Sequence, residues 1–341
     1  EDGSGAPPGA PRHVVGNTAQ MLIYIARRLV WTAAVVAVVL LVTFLVFFKL
    51  PAGEPWVRFA GKQPTQELKI EINHRMGFDR PWPVQFAIFT KNFVVGDQYG
   101  WPGFGYDWVN NEAVLPQVES GIPRTLSLIA GAAILWLVSG ILIGVLSAVK
   151  RRTLIDRLAM SFALFGISAP VFWLGLMALW IFWYKLHWIG GTGYVAFGES
   201  PTGWFSHLIG PWCVLALLYA AFYARITRGN LLEALGEDYI RTARAKGLSE
   251  SRVIFKHGLR ASLTPIVTMF GLDIALLVGG AVITESVFNI RGLGFKTISA
   301  ARTQDLPLVI AVVLVASTAV ALANLVVDVL YAYLDPRVRY T

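Results

Sequence analysis

Residues 232–265 read LEALGEDYIRTARAKGLSESRVIFKHGLRASLTP, a charged, helix-forming stretch held between apolar runs that are each long enough to cross a bilayer. A polar segment between two spans is a contact surface on one side of the membrane. Over residues 225–262 the basic side chains Arg225, Arg228, Arg241, Arg244, Lys246, Arg252, Lys256 and Arg260 outnumber Glu233, Glu237, Asp238 and Glu250. That excess predicts a cytoplasmic location, where another cytoplasmic protein can press on it.

Working outward, the chain has 341 residues, 55% hydrophobic and 15% charged, which defines a polytopic all-α membrane protein. The formal charge of +8 does not point to nucleic acid, because the basic residues sit at span ends, where they act as topology signals and lipid anchors. Cys213 is the single cysteine; it excludes a disulfide framework and reads as a small apolar filler. Trp31, Trp188 and Trp212 lie near the ends of apolar runs, as interfacial residues do.

In chain order, residues 1–20 are rich in Gly, Pro and Ala and read as a flexible N-terminal extension, with a six-span domain expected over residues 21–341. Span one is Leu29 to Phe48, flanked by Arg27 and Arg28, so its N-terminus is predicted inside. Its apolar run is too long for a cleaved signal peptide. Residues 49–124 form a polar segment predicted outside, with helices expected around Thr65 to Met76 and after Pro83. Span two runs from Thr125 to Val149 and carries Gly140 and Gly144 at the spacing that permits close helix approach. Span three covers Leu158 to Tyr184 with a kink at Pro170, span four His207 to Ala224, span five Leu263 to Val287, and span six Pro307 to Tyr333, leaving both termini cytoplasmic.

Absent motifs narrow the function. No phosphate-binding G-x-x-x-x-G-K-[ST] loop is present, so the chain is not expected to hydrolyse ATP, and no H-E-x-x-H zinc motif occurs. The five histidines are scattered, and no metal site or bound cofactor is expected. Gly166-Ile167-Ser168-Ala169-Pro170 lies in a span and reads as a small-residue packing site with a kink rather than a nucleophile elbow. The hairpin reads as two short helices broken at Gly247, with Ser249 capping the second and Glu250 in its first turn. Val253, Ile254 and Leu259 give that helix a packing side, while Arg252, Lys256 and Arg260 lie elsewhere.

The run Glu237-Asp238-Tyr239-Ile240-Arg241-Thr242-Ala243-Arg244-Ala245-Lys246-Gly247-Leu248-Ser249 resembles the coupling segment in permease subunits of peptide-type ABC importers, the dipeptide, oligopeptide and nickel group. The resemblance extends through Met21-Leu22-Ile23-Tyr24, Phe78-Asp79-Arg80-Pro81-Trp82-Pro83, Glu285-Ser286-Val287-Phe288 with Gly292-Leu293-Gly294, and Asn324 to Asp335-Pro336-Arg337. Asn289-Ile290-Arg291 lacks the proline that often precedes the last glycine pair in that family.

The resemblance implies a type I importer fold in a prokaryotic plasma membrane. It also implies a second homologous permease subunit, two cytoplasmic ATPase subunits binding ATP and Mg, and an external solute-binding protein. Under it, Glu237, Asp238, Arg241, Ala243, Arg244, Lys246, Gly247, Ser249 and Glu250 form the ATPase-coupling surface. Asp273, inside span five, must face protein or water, either as a group on the translocation path or as a hydrogen-bonded structural carboxylate. Asn324 and Asp328, four residues apart near the end of span six, read as packing or anchoring groups. The rival class is an ATPase-independent secondary transporter or channel. Such a protein calls for broken half-helices and paired ionisable groups at mid-membrane.

Overall fold

A computed structural model describes residues 13–50, 54–59, 65–108, 110–279 and 281–334. The first helix, α1 (His13–Phe44), runs on through a π-helical turn, Leu45–Lys49. Residues 13–20, expected to be flexible, are helical instead. Once a span has nucleated a helix, each further residue adds a hydrogen bond at small entropic cost. Residues 1–12 of the expected extension lie outside the described residues.

After α1 the polar segment forms the expected helices α2 (Gln66–Met76) and α3 (Trp82–Val95). Thr65 caps α2 by accepting from the Leu68 N–H at 3.2 Å, and Gly77 ends it in the left-handed region. A short antiparallel pair follows, β1 (Tyr106–Asp107) with β2 (Glu112–Ala113), in register Tyr106 to Ala113. Phe59 and Ile72 of this segment bury against Phe44 and Phe48 of α1, with Phe48 and Phe59 ring centroids 5.4 Å apart. The polar segment is thereby anchored on the first span through aromatic contact.

The central scaffold is α4 (Val114–Val149) against α7 (Pro201–Ala234), which run parallel. The spacing of Gly140 and Gly144 is used here: a Cβ at Gly140 would lie 2.6 Å from Tyr223 Cβ, and one at Gly144 2.7 Å from the Ala224 carbonyl. Only glycine allows that approach. Trp212 is not interfacial; it is buried over Gly131 and donates to the Ser127 carbonyl at 3.0 Å. Cys213, next to it on α7, is exposed rather than a core filler, because that helix buries its other faces. With 36 residues, α4 begins eleven before the expected span. At 1.5 Å per residue it is about 54 Å long, well beyond a hydrocarbon core of about 30 Å.

Span three is broken rather than kinked. The helices α5 (Leu154–Ser168) and α6 (Val171–Ala178), the latter continuing in π geometry through Lys185, meet at 103°. Pro170 offers no N–H, and it drives Ala169 to extended backbone (φ −77°, ψ 130°). Among the described residues five helices are long and apolar enough to cross a membrane, or six if this bent pair is one span.

The hairpin comprises α8 (Asp238–Ala245) and α9 (Glu250–Arg252), and α9 passes through a π-helical stretch, Val253–Leu259, into α10 (Arg260–Val278). Span five therefore ends at Val278 instead of Val287. Beyond it lie α11 (Val282–Val287), α12 (Leu293–Thr303) and the last span, α13 (Leu306–Leu334). Asp328 of α13 anchors to α1 through a 2.8 Å ion pair with Arg28, in keeping with its expected role. Asn324 contributes no such contact, since its buried Oδ1 has no partner.

Candidate functional site: the hairpin and the spans it joins

Glu237 starts α8 from extended backbone, and Gly247 ends it with φ +75°. The Leu248 N–H reaches the Ala243 carbonyl at 3.3 Å and the Gly247 N–H reaches the Arg244 carbonyl at 2.9 Å. These two bonds and a left-handed glycine define a Schellman stop, in which a hydrophobic residue after the glycine packs back on the helix. Leu248 does so, against Ile240, Ala243 and Val253. The turn is therefore specified by its own sequence. No atom lies within 4 Å of the position a Gly247 Cβ would take, so the glycine serves backbone conformation and not close approach.

The structure separates the nine residues expected on the coupling surface. Ala243 is buried in the hairpin's small core and cannot be a surface contact. Ser249 occupies the N-cap position of α9, but its side chain makes no capping bond; its carbonyl accepts from the Val253 N–H instead. Arg244 and Glu250 clasp each other across the turn, Nε to Oε1 at 2.7 Å, and so join α8 to α9. Arg241 pairs with Asp238 at 3.1 Å on the exposed face. Glu237 and Lys246 are exposed. As expected, Val253 packs inward, and Ile254 and Leu259 lie against the buried ends of α4 and α7 at Val145, Ala148 and Leu231.

Some functional groups were not singled out from sequence. Tyr239 and Phe255 are large apolar residues 46% and 55% exposed on the hairpin. Behind the hairpin, Arg228 of α7 grips Asp156 of α5 with Nε to Oδ1 at 2.8 Å and Nη2 to Oδ2 at 2.9 Å. Ser147 of α4 donates to the same carboxylate, as does the Arg152 N–H at 2.9 Å. This node fastens three helices where α7 turns into the hairpin. Its sequence signal was an acidic residue beside an apolar run, opposite an arginine counted only as a loop charge.

Asp273 lies on α10 and is half-buried, facing protein as expected. Tyr223 of α7 donates to its Oδ2 at 2.6 Å, and beside that pair Trp136 stacks on Tyr219 with ring centroids 4.7 Å apart.

At the far end of α4 a second buried node forms. Thr125 donates to Glu285 Oε1 at 2.7 Å, the Phe295 N–H donates to Oε2 at 2.8 Å, and the Leu293 N–H donates to Thr125 Oγ1 at 2.8 Å. The Gly292-Leu293-Gly294 stretch, expected as loop, thus starts α12, and Glu285 sits at that helix's N-terminus, where a carboxylate is favoured.

The family described as "Binding-protein-dependent transport system inner membrane component" matches residues 140–340, and "Binding-prot-dependent transport system membrane comp, N-term" matches residues 21–129. The chain is 37% identical over 320 residues to a probable peptide ABC transporter permease, y4tP, of Sinorhizobium fredii, covering 94% of this chain and 100% of that one. It is 34% identical over 340 residues to the dipeptide transport system permease DppB of Alkalihalophilus pseudofirmus, with coverage of 94% and 100%. It is 36% identical over 320 residues to the glutathione transport system permease GsiC of Escherichia coli K12, again with coverage of 94% and 100%.

Proposed function

Because the chain belongs to the family of binding-protein-dependent transport system inner membrane components, we propose that it imports peptides or similar small solutes as one permease of an ATP-driven assembly. In this reading the hairpin faces the cytoplasm and docks an ATPase subunit, the polar segment 49–124 faces outward, and both termini are inside. A second homologous permease, two ATPases that bind ATP and Mg, and an external solute-binding protein complete the assembly.

The observation that carries the coupling role is continuity. From Glu250 to Val278 the chain is one helical run, so the hairpin's second arm and the span bearing Asp273 are the same rod. A push on the hairpin displaces that span, while the Schellman turn and the Arg244–Glu250 clasp transmit the push from α8 to α9. ATP binding can bias the path only by favouring one of its two states over the other. Asp273, with Tyr223, is our candidate path group. Asp273→Asn keeps an acceptor for the Tyr223 hydroxyl and is expected to support uptake, whereas Asp273→Leu leaves that hydroxyl unpaired and is expected to impair it.

Disulfide trapping tests the docking. In a Cys213→Ala background, Lys246→Cys is expected to cross-link to a cysteine on the ATPase and to be labelled only from the cytoplasmic side. Labelling of position 246 from outside intact cells would overturn the orientation and the docking role together.

A further inference from the structure

On the side of the protein opposite the hairpin, two guanidiniums, those of Arg124 and Arg291, line one open recess. Arg124 of α4 directs Nη1 to the Arg291 carbonyl at 3.1 Å, and its guanidinium carbon lies 5.9 Å from the centre of the Tyr194 ring. Arg291 and Asn289, from the loop between α11 and α12, line the recess with Tyr194 and Gly193. The Gly193 N–H donates to the Phe288 carbonyl at 2.8 Å, which fixes that wall to the end of α11. Lys296 of α12 lies behind Arg124, its stem so near α4 that a Cβ at Gly121 would come within 3.3 Å of Lys296 Cδ.

Charge here is only partly compensated. Among the described residues, Arg124, Arg291 and Lys296 form no ion pair; the ion pairs present lie elsewhere. Glu112, exposed on β2, is the one acid whose charge acts on Lys296. Burial, followed by the repulsion of Arg124 and Arg291, holds the Lys296 ammonium below its ordinary pKa. A cluster that depresses its own lysine gains when an anion enters. Two guanidiniums offer the planar fork that matches a carboxylate, and Tyr194 supplies an apolar wall that narrows the recess to a small group.

We infer that this recess binds the carboxylate of the solute on the outer side of the permease, before the solute moves inward. The inference rests on the import direction proposed above. A solute with a free carboxylate is held here by Arg291 and by the edge of Arg124 not committed to the Arg291 carbonyl, while Lys296 behind them adds to the positive field. Arg291 is the specificity-determining residue in this reading. Arg291 is exposed, and its structural bond uses only the main chain, so its side chain can be changed without disturbing the fold.

The test is direct binding to the full-length permease in lipid nanodiscs, without partner subunits, by calorimetry at low salt. The probes are alanylalanine, its C-terminal amide, acetate and inorganic phosphate. Alanylalanine is expected to bind about tenfold more tightly than its amide, which is the worth of one charge-assisted contact. Arg291→Gln is expected to bring alanylalanine down toward the amide's affinity, Lys296→Gln to weaken it by less, and both to leave the amide unchanged. Acetate is expected to compete.

Equal affinity for acid and amide, or unchanged binding in both variants, would overturn the proposal. Phosphate competing as well as acetate would replace the carboxylate assignment with a general anion site. If the variants spare both dipeptide probes but weaken capture of the external binding protein, the recess is a docking point for an acidic side chain and the solute assignment is wrong. None of these readouts involves ATP, so the import reading survives their failure; that reading falls instead if the parent assembly shows no ATP-driven uptake.

Discussion

The hairpin and the Thr125–Glu285 node sit at opposite ends of the α4–α7 scaffold and are built on opposite principles. In the hairpin the polar contacts are exposed ion pairs, Arg241 with Asp238 and Arg244 with Glu250, and its glycine touches nothing. In the node the polar atoms are fully buried, each oxygen is matched to a donor, and Gly292 is enclosed by Thr125 and Glu285. Exposed pairs contribute little and re-form easily, whereas a buried group left without its partner is costly. The difference marks a surface that can exchange partners and a joint that holds three helices at a fixed angle.

The largest effect is expected at the joint. Gly292→Val places a side chain into Thr125 Oγ1 and within 2.7 Å of Glu285 Oε2, so the node's three hydrogen bonds and the start of α12 must shift. A loss of about 3 kcal/mol is expected from overpacking and unpaired buried groups, read as a lower melting temperature and a reduced level of folded permease. A variant as stable as the parent would show that the joint yields as readily as the hairpin.

Asp156→Ala comes next. It leaves Arg228 and Ser147 without their shared acceptor at the base of the hairpin, and α5 is expected to detach from α7. Increased hydrogen exchange in residues 154–168 is the measurement, and unchanged exchange would remove Asp156 from the scaffold.

Gly247→Val is expected to be mild for folding and severe for coupling. A left-handed backbone costs a side-chain-bearing residue roughly 1 kcal/mol or more, and no steric clash adds to it. Membrane level should remain near normal while solute-stimulated hydrolysis and uptake are lost in the reconstituted assembly. Gly247→Asn, which tolerates that backbone, should retain both. Equal uptake by both variants would break the coupling role of this turn.

The smallest effect expected is a pH dependence confined to the side away from the hairpin. Asp305, buried just before α13, accepts from the Leu308 N–H at 3.1 Å. Burial, reinforced by the nearby Asp107 carboxyl, pushes its pKa up to about 7. The protonated acid is thus favoured in the folded state. Its stabilisation is complete below the ordinary Asp value of about 3.9 and is lost as pH rises through the folded value. Melting temperature should fall from about pH 4 to about pH 7 in the parent, level off above that, and stay flatter in Asp305→Asn; parallel curves would dismiss the role of Asp305.

Several elements could be read before any coordinates because a bilayer makes strong local demands. Charge-free runs had to be helices, and the length was nearly right for span six. Span four, expected over His207–Ala224, instead continues at both ends to Pro201–Ala234, because polar residues there still extend a nucleated helix. The stop at Gly247 was legible because a Schellman turn is encoded within a few consecutive residues. Ser249 misled because the cap preference is statistical, and here the backbone bond from Val253 sufficed. Pro170 announced a disturbance, but whether an X-Pro pair bends or breaks a helix depends on whether neighbours hold the two halves at an angle. The extra length of α4 was hidden by Glu119, Arg124 and Pro123, which look like loop and become acceptable in a helix protruding beyond the hydrocarbon.

What the sequence by itself determined is the all-helical class, the order of the spans, the polar hairpin and the family, since each follows from residues close together along the chain. The tertiary structure alone decided that Arg228 holds Asp156, that Glu285 closes on Thr125, that Ala243 faces inward, and that Arg124 of α4 and Arg291 of a distant loop share one recess. Those pairings span tens to hundreds of residues, and hydropathy has no term for them. They exist because parallel α4 and α7, brought close by Gly140 and Gly144, set the positions onto which α5, α6 and α10 to α13 pack.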